Sequence, residues 1–160
     1  MVVLVLYVRV HVQLKQLRQI LSILVIFLFA KKHSIEIDIE DRKKRTPVFL
    51  MIIVNYIVST LFFWLFENYT MFLLSLSYVV VTSTIMIINL FWKISVHAAG
   101  VSGPLTALYY VFGSIVVPFY ITLIPLLYSR YKLGHHTKLQ LLAGSVVPIF
   151  ITYFVYFIWW

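Results

Sequence analysis

Cysteine is absent from these 160 residues. Neither a disulfide framework nor a thiolate metal site can therefore exist in the chain. Charge is scarce too: 11% of residues, against about 25% in a soluble globular protein. Only five residues are acidic. The clear apolar stretches carry no ionisable residue at mid-span, which argues against a proton-coupled transport pathway. No internal repeat and no low-complexity segment interrupts the sequence, so residues 1–160 read as a single membrane domain.

What the chain has is apolar bulk. Hydrophobic residues make up 62% of it and the mean hydropathy is +1.00, which marks an integral membrane protein. Its net charge of +8 is unevenly placed. Arg9, Lys15 and Arg18 lie near the N-terminus, and a basic juxtamembrane loop, 31–46, holds Lys31, Lys32, Arg42, Lys43, Lys44 and Arg45. Lys93, Arg130, Lys132 and Lys138 flank later polar islands. Cations bracketed by membrane segments suit anionic lipid headgroups as partners, and nucleic acid is a poor fit.

A helix needs about 20 apolar residues to cross the hydrocarbon core. Pro47 to Phe66 qualifies, with Pro47 expected at a helix start, and Tyr69 to Trp92 follows after a turn at Glu67-Asn68. Leu139 to Trp160 is a third span, ending in the interfacial anchor Trp159-Trp160. Ala98 to Tyr128 as one helix would be about 46 Å long, well beyond a core of about 30 Å. Pro118 and Pro125 add to that mismatch, so a hairpin broken near Gly113-Ser114 is expected, with arms of about 22 Å. Near the N-terminus, Leu17 to Ala30 is too short to span unaided and carries Arg18; a tilted or interfacial helix from about Val12 to Ala30 is expected. The basic residues there follow the first apolar run, so no cleavable signal peptide is expected. The fold class expected is all-α: a polytopic membrane bundle of five to six helices.

Two polar islands stand out. The first is Trp92-Lys93-Ile94-Ser95-Val96-His97, followed by Ala98-Ala99-Gly100. The second is Ser129-Arg130, followed by His136 and Gln140. With a hairpin between them, both islands and the basic loop emerge on one membrane face. The excess of cations favours the cytoplasmic side for that face.

His97 precedes a small-residue helix start, where free N–H groups favour an anion and the backbone is approachable. It reads equally as an interfacial residue ahead of a packing face containing Gly100 and Gly103. His136 competes with its neighbour His135. A nucleophilic histidine must be neutral and held in one tautomer by a polar partner. Gln140, four residues on, shares a helical face with His136 and offers a side-chain oxygen, although a carboxylate would serve better. Arg130 and Arg45 are candidate phosphate clamps, since guanidinium pairs bidentately with phosphate oxygens. Arg45 reads also as part of a run that contacts headgroups. Glu36, Asp38 and Glu40 alternate along what reads as a solvated extended segment, and Asn68-Tyr69-Thr70 matches a glycosylation acceptor hard against the membrane.

These residues resemble the motifs of the type 2 phosphatidic acid phosphatase (lipid phosphate phosphatase) superfamily. Its second motif, P-S-G-H, is similar to Ile94-Ser95-Val96-His97. Its third, S-R, five residues, H, three residues, D, matches Ser129, Arg130 and His136, with Gln140 in the Asp position. Its first, K, six residues, R-P, has an echo in Arg45-Thr46-Pro47 beside Lys43 and Lys44. The resemblance spans roughly residues 41–144. It implies a lipid phosphate phosphatase-like bundle and hydrolysis of a lipid phosphate or pyrophosphate. His136 would be the nucleophile, His97 the general acid and Gln140 the partner of His136. Arg130, Arg45 and Lys93 would bind the phosphate, with Ser95 and Ser129 as motif serines. No metal and no other cofactor is implied. The alternative is a non-catalytic lipid-binding or scaffold protein of the same fold.

Overall fold

Residues 42–159 are described in the computed structural model, and all regular structure among them is helical. The expected N-terminal helix and most of the basic loop lie outside the described residues, as does Trp160. Helix α1 runs Arg42–Leu65, α2 Tyr69–Phe91 and α3 Val96–Phe112. A 3-10 segment, Gly113–Thr122, leads into α4, Leu123–Lys132, and α5 spans Lys138–Trp159. Four helical stretches are long and apolar enough to cross a membrane: Arg45–Leu65, Tyr69–Phe91, Val96–Lys132 and Lys138–Trp159.

Pro47 sits inside α1 rather than at its start. The helix extends upstream through the basic run, and a proline this near the N-terminus removes one early hydrogen bond, which membrane helices tolerate. The α1–α2 turn is tight. Glu67 takes a left-handed conformation, φ 53°, and Asn68 caps α2 by accepting the Met71 N–H at 3.2 Å. That capping occupies the side chain of the glycosylation-like triplet.

The Val96–Lys132 stretch doubles back on itself. Gly113 closes α3 at φ 71°, a conformation glycine adopts without a Cβ penalty. Thr106 Oγ1 and the Tyr120 hydroxyl lie 2.8 Å apart. Fourteen residues of straight helix would separate them by about 21 Å, so the chain must reverse between them. Thr106 donates its own proton to the Ser102 carbonyl at 2.9 Å, which leaves Tyr120 as donor in the pair. The returning limb has a 3-10 half and an α half of ten residues each. At about 2.0 and 1.5 Å rise per residue it reaches about 35 Å, enough for the hydrocarbon core.

Helix α1 packs along α2, α3 along α5, and α2 also on α5. Small residues allow these approaches. Above Gly103, a Cβ would touch Pro148 Cβ at 3.6 Å and Thr152 Oγ1 at 3.7 Å. Such close backbone packing is the usual basis of helix association in lipid. Buried hydroxyls mostly bond their own helix: Ser75 to the Met71 carbonyl, Ser77 to Leu74 and Ser145 to Leu141. These bonds satisfy polar groups that lipid cannot solvate. One apolar cluster, Phe49, Val81, Ile85, Ile94 and Ala99, gathers at the end where α1 begins and α2 finishes. A second, Leu73, Ala107 and Tyr156, lies toward the opposite end. Large apolar side chains point outward, among them Trp64, Phe91, Phe150 and Phe157.

Candidate functional site

The two polar islands meet at one end of the bundle. The Ser95 N–H donates to the Gln140 carbonyl at 3.3 Å. One turn along α5, Gly144 lies so close that a Cβ there would stand 2.5 Å from the Ser95 carbonyl oxygen. Phe49, one helical turn after Arg45, packs in the same cluster as Ile94. The start of α1, the 92–95 linker and the start of α5 therefore converge. The reversal at Gly113 returns α4, with Ser129 and Arg130, to α5 at Lys138. Among the described residues the one carboxylate side chain, Glu67, sits in the α1–α2 turn at the far end.

Arg45 is buried at 8% exposure. Lys93, His97 and Arg130 are half-buried and Ser129 is exposed. Arg130 lies in the last turn of α4, where a cation also complements the helix dipole. His136 is 5% exposed, whereas His135 is only partly covered. Burial thus separates the adjacent histidines: the packed ring is His136. Both border an open depression of about 690 Å³, together with Tyr131, Lys132, Lys138 and Gln140. Lys138 Nζ stands 5.3 Å from the centre of the Tyr131 ring, a cation–π contact across the α4–α5 turn. Arg45, Lys93, Ser95, His97, Ser129 and Arg130 are outside the wall of that depression.

Four local expectations change. His97 lies within the first turn of α3, not ahead of it, because the helix begins at Val96. The N–H groups expected to receive an anion there are partly engaged. Ser95 Oγ accepts the Ala98 N–H at 3.4 Å, and its carbonyl accepts that of Ala99 at 3.2 Å. Ser95 is thus the helix cap, and it is fully buried. Of the two glycines, Gly103 serves packing, while Gly100 faces open space.

Gln140 changes most. Its Oε1 accepts the Thr137 backbone N–H at 3.0 Å, while Thr137 Oγ1 accepts the Gln140 N–H at 3.3 Å. This reciprocal pair is a capping box. The oxygen expected to orient the His136 ring therefore caps α5. Thr137 is a site residue that its motif surroundings do not mark; its sequence signal is the pattern Thr-x-x-Gln before an apolar run. Asn89, 1% exposed in the last turn of α2, also went unremarked. A lone amide in an apolar helix gives no periodic signal. Ser102 Oγ and Thr152 Oγ1 are buried without a hydrogen-bond partner among the described residues. No cluster of three or more His, Asp or Glu side chains forms a metal-ligand set among the described residues.

No family model matches the chain, and no curated protein and no solved structure matches it either. Fold and site together define a class: a chain whose described residues are helical and of membrane-spanning character, with cations and two histidine-bearing segments gathered at one end.

Proposed function

We propose that this chain is a membrane phosphatase acting on a lipid phosphate or pyrophosphate through a phosphohistidine intermediate. The observation that carries the proposal is the bond from Ser95 to Gln140. It joins the segment bearing His97 to the segment bearing His136, across 45 positions of sequence. In this reading the described helices cross the membrane five times, with the α3 hairpin counted as two crossings. Both islands then lie at headgroup level on one face.

His136 attacks phosphorus as the neutral imidazole, forming an N–P bond as the P–O bond to the lipid breaks. His97 gives its proton to the departing oxygen. Water then cleaves the N–P bond, releasing inorganic phosphate and restoring the imidazole. Arg45, Arg130 and Lys93 balance the charge on the phosphoryl oxygens. Support comes from the burial of His136 and Arg45 and from the excess of cations at this end.

A second reading, lipid binding without turnover, is favoured by Gln140, which stands where the resembled motif has Asp and whose side-chain oxygen caps α5. One experiment separates the two. Purified protein in detergent is given polyprenyl diphosphate, polyprenyl phosphate or phosphatidate without divalent metal, beside His136→Ala. Phosphate release that disappears in the folded variant is the expected result. Binding of these lipids with no release would establish the second reading instead.

A further inference from the structure

A helix start leaves its first N–H groups without intrahelical partners. At α5 the Thr137–Gln140 box supplies two of the missing bonds, one in each direction. Two relationships give this cap a wider reach. His136 is the residue immediately before it and is packed at 5% exposure. Gln140 also accepts the Ser95 N–H through its backbone carbonyl. A single residue thus ties the peptide that follows His136 and the strand-like linker two residues before His97. Its side-chain oxygen holds the first and its main-chain oxygen holds the second.

We propose that Thr137 and Gln140 are positioning residues that fix His136 against the His97 segment, with Gln140 acting as a helix cap and not as a substitute for a ring-orienting carboxylate. The proposal rests on the reading of His136 as the reacting histidine. Chemistry distinguishes the two roles of residue 140. In a capping box a Gln or Glu side chain returns to the N-cap N–H. Asp, one methylene shorter, is also found at this position of such boxes, so residue 140 alone does not separate the roles. An orienting role would be strengthened by either carboxylate, Asp or Glu, and would leave the Thr137 hydroxyl without a part in it. The capping role needs that hydroxyl, which accepts the Gln140 N–H, so the two roles predict opposite outcomes for Thr137→Ala.

The test uses the full chain in detergent, in a His135→Asn background so that one ring of the adjacent pair reports. Diethyl pyrocarbonate modification of His136 is followed by peptide mass. Thr137→Ser and Gln140→Glu are expected to keep the parental rate. Thr137→Ala and Gln140→Ala are expected to react about fivefold faster, the opening that loss of a typical cap allows. In the phosphatase assay, Thr137→Ala lowers kcat at unchanged KM and Thr137→Ser restores it. The rescue by conservative variants separates positioning from a general loss of fold. The proposal is overturned if Thr137→Ala stays at the parental rate while Gln140→Ala reacts faster, or if all four variants react alike. If the parent releases no phosphate from any substrate, the phosphatase reading fails, while the modification rates still decide the positioning role.

Discussion

Gly144 and the Ser95 carbonyl are in direct backbone contact: a Cβ at position 144 would lie 2.5 Å from that oxygen and 3.0 Å from Ser95 Cβ. No real side chain occupies such a distance, so α5 can reach the linker only because residue 144 is glycine. The same contact sets the spacing between the two histidine-bearing segments, since the Ser95–Gln140 bond lies one turn away.

Gly144→Ala should therefore destabilise the protein by about 1–3 kcal/mol, the usual cost of overpacking a tight contact. Thermal unfolding followed by helical circular dichroism in detergent measures it. An unfolding midpoint equal to that of wild type would show that the linker moves aside freely.

The reversal at Gly113 is secured by the Thr106–Tyr120 pair. A double-mutant cycle of Thr106→Val and Tyr120→Phe should yield a coupling of about 0.6 kcal/mol, typical of hydrogen bonds between membrane helices. Additive effects with no coupling would place the hydroxyls apart.

Topology can be read chemically, because the absence of cysteine makes every introduced thiol unique. Lys93→Cys and Lys132→Cys should react with an impermeant maleimide from one side of the membrane, and Glu67→Cys and Ser114→Cys from the other. The first pair is expected on the cytoplasmic side. Lys93 and Lys132 labelled from opposite sides would contradict five crossings.

In the proposed mechanism His97 supplies the proton for the leaving group. His97→Ala should slow release from an alkyl phosphate by about 10²–10⁴-fold. An aryl phosphate with an acidic leaving group needs no such proton and should be hydrolysed at nearly the wild-type rate. Steady-state rates on both substrates test this; equal losses on the two would assign His97 a different role.

Much of the fold was legible without coordinates. The boundaries of α1, α2 and α5 fall within a few residues of the apolar runs, because span length and turn residues are local properties. The break at Gly113 was legible too, since one helix of that length could not fit the bilayer. Pro47 misled, because the apolar run begins there while the helical backbone extends through the charged residues ahead of it.

The sequence alone determined that this is a multi-pass helical chain, where its hairpin turns, and which residues are candidates for phosphate chemistry. Tertiary structure decided what each candidate touches. It buried His136 and not His135, made Ser95 a cap, and turned the Gln140 oxygen to Thr137. Spacing along a helix gives a shared face, but the partner a polar atom takes depends on which backbone donors a neighbouring segment leaves unsatisfied nearby. That is settled only when α3, α5 and the linker pack together.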